Sequence, residues 1–292
     1  MNTSLIHTSG TKLINAAING DYDLVQHYIS NDNIDVNCRD WDDVTPLIGA
    51  ATKRNLEIIK YLINAGAQVL THSLTHSLTH SLTHSLTHSL THSLTHSLTQ
   101  VNLFDKSNLT ALMESCISGA FEIVQLLIGA GADVNMQASS GVNALWLAAN
   151  SGSYHIVEFL LANNADISNK KYDGQSILHV ASEGGHVDIV QMLVDEGISV
   201  DDPDQDNITP LIMAAENGSL PIVELLVSKG ATVNILSKNG GFSPLIVAAA
   251  HGHHDVVKCL LEHGAEVDIE HPGTHSLTHS LTHSLTHSLK RT

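Results

Sequence analysis

Apolar residues recur along this chain at helical spacing. Ile58-Ile59-Leu62-Ile63 returns as Ile123-Val124-Leu127-Ile128, as Ile156-Val157-Leu160-Leu161 and as Val256-Val257-Leu260-Leu261. Neighbours three and four residues apart share one face of an α-helix, so each run predicts an amphipathic helix with a buried stripe. Upstream of such runs stand pairs of small residues: Ala16-Ala17, Ala50-Ala51, Ala148-Ala149, Ala214-Ala215 and Ala248-Ala249. These predict a shorter helix that its neighbours approach closely. Thr45-Pro46, Thr209-Pro210 and Ser243-Pro244 open three of these helices. The hydroxyl can accept from an unpaired first-turn N–H, and proline loses nothing where that N–H is orphaned anyway. The longer helix is expected to end at Gly66, Gly131, Gly197, Gly230 or Gly264, with Asn164 in the equivalent place. Glycine, and next to it asparagine, tolerates the left-handed backbone that closes a helix. Polar turns such as Tyr172-Asp173-Gly174-Gln175 connect one helix pair to the next.

Aligned on the opening tetrad, seven units begin at Thr11, Thr45, Thr110, Asn143, Ser176, Thr209 and Ser243, at intervals of 34, 65, 33, 33, 33 and 34 residues. The single anomaly, 65 − 33 = 32, equals the length of residues 69–100. Joining Gln68 to Val101 restores Gly66-Ala67-Gln68-Val101-Asn102, the counterpart of Gly131-Ala132-Asp133-Val134-Asn135 and Gly230-Ala231-Thr232-Val233-Asn234. One register therefore runs through an interruption, and a fixed period of this length is the mark of a stacked repeat array.

These residues resemble the ankyrin repeat, whose pattern is nearly spelled by Gly131-Ala132-Asp133-Val134-Asn135, Ser176-Ile177-Leu178-His179 and Gly185-His186-Val187-Asp188-Ile189-Val190. The resemblance implies an all-α solenoid of helix-turn-helix units with short β-hairpin fingers. Lys12 and Asn15, Arg54 at an inter-helix glycine position, and Glu114-Ser115-Cys116 depart from the pattern and are expected to weaken packing locally. Residues 1–69 hold repeats one and two, 70–100 the insertion, 101–270 repeats three to seven, and 271–292 the tail.

Insertion and tail are built from 11 copies of Thr-His-Ser-Leu, which hold 11 of the 21 histidines and no charged residue. One strong hydrophobe in four cannot offset the entropy of ordering, so both segments are expected to be disordered. A run of the tetranucleotide ACTC encodes this cycle in every frame, so we read both tracts as translated simple-sequence DNA. Mixed synonymous codons in the coding strand would refute that origin. Histidines four apart could grip a metal on a helix, yet no carboxylate or cysteine joins them and no metal or cofactor is expected. Val256, Val257, Leu260 and Leu261 in the seventh unit have the composition of an internal repeat, and the tail follows where a polar cap would stand. The chain then reads as a truncated or interrupted product of a longer array, with self-association through the uncapped C-terminal end as the rival reading.

Thirteen basic against 30 acidic residues leave a net charge of −17, which argues against nucleic-acid or anionic-lipid binding. Cys38, Cys116 and Cys259 lack CxxC spacing and fit reduced thiols in a cytoplasmic or nuclear protein. Neither a signal peptide nor a membrane span is expected. His251, His253, His254 and Asp255 form the most tempting chemical cluster, read here as turn and helix-start residues. His179 is expected to tie its helix start through Ser176, and Trp146 to pack. No catalytic constellation emerges, and the chain is not expected to be an enzyme.

A non-enzymatic protein-interaction scaffold follows. The alternative is a truncated adaptor segment of a larger multidomain enzyme, channel or ubiquitin-ligase subunit. The resemblance implies that finger tips and the concave helix-one face meet the partner. The tips are Trp41, Asp42, Lys106, Ser107, Ser139, Ser140, Tyr172, Asp173, Gln205, Asp206, Asn239 and Phe242. The helix-one positions are Thr52, Lys53, Ile117, Ser118, Asn150, Ser151, Glu183, Glu216, Asn217 and His251. Trp41 and Tyr172 are the expected hot spots. Three acids between Asp40 and Asp43, and six acids without a base between Asp195 and Asp206, suggest a partner with a basic segment.

Overall fold

The structure is a computed structural model that describes residues 3–66 and 101–267. The tetrapeptide insertion and tail, with the disorder expected of them, lie outside the described residues. Helices pair along the chain: α1 (Thr3–Asn19) with α2 (Tyr22–Ser30), α3 (Pro46–Thr52) with α4 (56–66), and α5 (Ala111–Ile117) with α6 (Phe121–Gly129). Next come α7 (Ala144–Asn150) and α8 (Tyr154–Ala162), then α9 (Ile177–Glu183) and α10 (Val187–Asp195). The series closes with α11 (Pro210–Glu216) and α12 (Leu220–Ser228), then α13 (Pro244–Ala250) and α14 (His254–Glu262).

Two compact units divide the chain. The first comprises Met1–Leu147 with Glu158–Ala165, the second Ala148–Val157 with Asp166–Thr292. In the first, α3 packs between α1 and α5. Repeats two and three are thus direct neighbours although the insertion separates them in sequence, and the restored register is physical. In the second, α11 packs between α9 and α13, while α12 packs between α10 and α14. The paired alanines and the first three residues of each predicted stripe, as in Ile58-Ile59-Leu62 and Val256-Val257-Leu260, are buried, while the fourth, Ile63, Ile128, Leu161 or Leu261, is only half-buried.

Helix starts follow the expected chemistry. Thr45, Thr110, Thr209 and Ser243 accept through their hydroxyls from Ile48, Met113, Ile212 and Ile246 N–H, and Asn143 Oδ1 serves Trp146 N–H at 2.9 Å. Gly131, Gly197, Gly230, Gly264 and Asn164 all adopt positive φ at the end of the second helix. Two boundaries differ from expectation. Helix α1 begins at Thr3 rather than Thr11, and α4 is still helical at residue 66.

The fingers are tight turns more than β-hairpins. A single bond closes the base of each, for example Asp105 N–H to Leu109 O at 3.1 Å and Asp204 N–H to Ile208 O at 3.0 Å. Among the described residues, strand-like pairing is confined to the isolated bridges Phe104–Thr110 and Lys170–Ser176. Five-residue turns leave no room for a longer ladder.

The pattern's departures prove mild. Lys12 and Asn15 point away from the core. Ser115 donates its hydroxyl to Ala111 O at 2.7 Å, and Cys116 fills a fully buried position. Arg54 does carry strain, with φ of 61° where the other units have glycine. In the seventh unit Val256, Val257 and Leu260 are buried, Leu261 is half-buried, and α14 packs on α12 and α13.

Candidate interaction surface

Three fingers are each folded by an aspartate of their own. Asp40 Oδ1 accepts from Asp42 and Val44 N–H (2.9 and 3.0 Å), Asp105 Oδ1 from Ser107 and Leu109 N–H (2.8 and 2.9 Å), and Asp204 Oδ1 from Asp206 and Ile208 N–H (2.9 and 2.8 Å). A carboxylate that collects two backbone donors offers the chain a turn in place of a helix or strand. Asp43, Asn108 and Asn207 then take the left-handed position two residues before the next tetrad.

Tips are tied to one another within each unit. In the first, Lys106 N–H donates to Asp42 O at 3.0 Å and Ser139 N–H to Ser107 O at 2.8 Å, while Lys106 Nζ reaches Asp42 Oδ1 at 3.2 Å. Ser140 is exposed beside Ser139. In the second, Gln205 N–H donates to Asp173 O at 2.9 Å and Lys238 N–H to Asp206 O at 2.7 Å. Gln205 Nε2 donates to Tyr172 O, Lys238 Nζ to Gln205 O at 2.7 Å, and Asn239 Nδ2 to Asp206 Oδ1 at 2.7 Å. Backbones are thereby fixed while the large side chains stay in water: Trp41 is 74% exposed, Tyr172 68% and Phe242 44%. Asp173 is half-buried and is an anchor. Burial acts to raise its carboxyl, but the bonds from Lys171 Nζ and Gln175 N–H outweigh it and hold the group below its usual range.

Of the helix-one positions, Thr52, Lys53, Ile117, Asn150, Ser151, Glu183, Glu216, Asn217 and His251 are exposed, and Ser118 is half-buried. Thr52 Oγ1 lies 3.3 Å from Glu114 Oε2, a contact that bridges repeats two and three. Burial raises the Glu114 carboxyl, partly offset by that hydrogen bond. The sequence reading missed Glu114 as a surface residue, along with Arg39, whose guanidinium lies 5.8 Å from the Phe104 ring centre and donates to Phe104 O at 3.2 Å.

The acidic stretches are less free than their sequence implies. Asp202 pairs with Lys170 at 2.6 Å, Asp195 with Lys229 at 3.1 Å, and Asp201 accepts from Thr232 N–H and hydroxyl. Bonds from Gln191 and Lys229 hold Asp195 below its ordinary range. Neighbouring repeats supply the bases that the Asp195–Asp206 segment itself lacks. On the helix-two side of the second unit, an open groove of about 650 Å³ is lined by Tyr154, His155, Asp188, Gln191, Met192, Asp195 and Glu196. Tip and helix-one periodicity gave no signal for it.

The histidines serve the scaffold. His179 is fully buried: Ser176 N–H and hydroxyl both bond its Nδ1 (3.1 and 2.7 Å), and Nε2 reaches Ile208 O of the next repeat at 3.0 Å. Nδ1 is therefore the acceptor and Nε2–H the donor. His253 Nε2 lies 2.8 Å from Glu216 O, and its ring stacks on His251. No group of three or more His, Cys, Asp or Glu placed to hold a metal ion occurs among the described residues. Nor is any described helix long and apolar enough to cross a membrane.

A repeating helix pair, turns tied by inter-repeat hydrogen bonds and a buried inter-repeat histidine define a solenoid of the protein-interaction class. A family model described as ankyrin repeats (three copies) matches residues 13–138, 84–171, 112–204, 145–237 and 178–271. The chain belongs to the ankyrin repeat family. It is also similar to alpha-latrocrustotoxin-Lt1a of Latrodectus tredecimguttatus, 43% identical over 54 residues, which are 18% of this chain and 4% of that protein.

Proposed function

We propose that this chain is a non-enzymatic scaffold that binds a protein partner through its finger tips and exposed helix-one positions. One observation carries the reading: tip backbones are locked by inter-repeat hydrogen bonds while Trp41 and Tyr172 stand largely in solvent. A rigid aromatic on a fixed backbone offers large contact area at little ordering entropy, which is the usual make-up of a hot spot. The net charge of −17 supports a partner with a basic segment, attracted by long-range steering.

Affinity capture from cells with the native chain and with a Trp41→Ala/Tyr172→Ala variant tests this. The expected result is a partner retained by the first and lost by the second, with unfolding curves unchanged. Equal retention sinks the tips as the binding surface. For the captured partner, association should slow steeply as salt rises. Salt-insensitive association removes the basic segment.

A further inference from the structure

The chain contains three Asn-Gly pairs: Asn19-Gly20, Asn217-Gly218 and Asn239-Gly240. Glycine after asparagine leaves its nitrogen unshielded by a Cβ, so that nitrogen can approach the side-chain amide carbon. What separates the three is how the glycine N–H is used. Gly20 N–H donates to Ala16 O at 3.0 Å, and Gly218 N–H to Ala215 O at 3.3 Å, both at helix ends. Gly240 N–H meets no acceptor among the described residues. Asn239 and Gly240 are both exposed.

The cause lies in the repeat spacing. Ser243 follows Thr209 by 34 residues where the three preceding intervals are 33, so this finger holds one residue more. In shorter fingers the left-handed residue closes the turn, as Gly174 N–H does on Lys171 O at 2.8 Å and Asn207 N–H on Asp204 O at 3.1 Å. Here two residues, Gly240 and Gly241, share the left-handed region at φ of 87° and 62°. Ser237 Oγ takes over the closure by donating to Asn239 O at 3.2 Å and accepting from Phe242 N–H at 3.0 Å.

We infer that Asn239 is a self-modification site at which the free Gly240 amide converts the side-chain amide to an acid. Solvent base removes the Gly240 amide proton, and the nitrogen adds to Asn239 Cγ, forming a C–N bond. The Cγ–Nδ2 bond breaks, and Nδ2 takes up a proton and leaves as ammonia. Water then opens the cyclic imide at either carbonyl, giving aspartate or an isoaspartyl link, with no change of oxidation state. The original Nδ2 donates to Asp206 Oδ1 at 2.7 Å. Its loss sets a carboxylate against a carboxylate, so the link between these two tips becomes a repulsion. Any effect on partner binding rests on the proposed tip surface, whereas the conversion itself does not.

The full chain, held folded in mildly alkaline buffer and mapped over time by peptide mass spectrometry, decides the matter. Asn239 should convert about tenfold faster than Asn19 and Asn217, whose glycine amides must first break a hydrogen bond of ordinary net strength. In denaturant the three rates should converge. Deleting Gly241, which restores the 33-residue interval, should slow Asn239 toward the others. Equal rates in the folded chain, or an unchanged rate after the deletion, overturns the assignment.

Discussion

His179 shows how much one buried polar side chain can settle. It joins its own helix start to the next repeat through both ring nitrogens. His179→Ala leaves Ser176 N–H and Ile208 O without their partner in the core and should cost about 3 kcal/mol in urea unfolding. Burial depresses its pKa below the ordinary 6.5, against opposing pulls from the Ile208 carbonyl, Asp204 and Asp202. The unfolded chain therefore binds this proton more readily. The contribution of His179 is fully present above pH 6.5 and fades as pH falls toward the lower folded value. His179→Gln should flatten that acid limb, and an unchanged slope would assign it to other groups. Arg54 tests backbone conformation alone: with φ of 61°, Arg54→Gly should stabilise by about 0.5–1 kcal/mol after the cost of a freer unfolded chain. Gly152→Ala should do the reverse, because its φ is 71° and a Cβ would sit 2.5 Å from His186 Cε1.

At the scale of elements, the helix pairs were legible because period and capping are local. Thr, Pro and the paired alanines act within a few residues of where they stand. What escaped the sequence reading is the purpose of the recurring asparagine. Asn102 Oδ1 accepts from Asp133 N–H at 2.8 Å in the first unit, and in the second Asn234 accepts from Glu266 N–H at 2.9 Å while donating to Gly264 O at 3.1 Å. Each is a rung to the following repeat, and its fixed offset was the available signal. Asn234→Ala should cost about 2 kcal/mol, roughly two net hydrogen bonds, against about 1 kcal/mol for the single helix cap lost in Thr209→Ala. Similar costs for the two would show that the rung adds nothing beyond a cap. The pairing within the acidic stretch escaped for the same reason, since the lysines that pair with Asp195 and Asp202 lie in other repeats.

For the whole molecule, the interrupted register makes a quantitative claim. Repeats two and three pack directly, so deleting residues 69–100 removes only a loop-closure cost. The deletion should raise stability by at most about 2 kcal/mol, the logarithmic cost of several doublings of loop length, and leave cooperative unfolding intact. A broadened or split urea transition would mean that the tract takes part in the stack. Because repeat arrays gain stability from each nearest-neighbour interface, the junction between repeats two and three is the one to watch.

The sequence alone determined the repeat, its phase, the caps, the glycine turns and the interruption, because each depends on steric and hydrogen-bonding rules that act within one helix pair. Tertiary structure decided which surface residues are spoken for. Asp40, Asp173 and Asp204 proved to be anchors, Lys170 and Lys229 proved to be their neighbours' counter-charges, and Trp41 and Tyr172 were left outermost. Composition could not separate these roles, since a hydrogen bond between repeats joins residues about 30 positions apart and appears only when the helices stack.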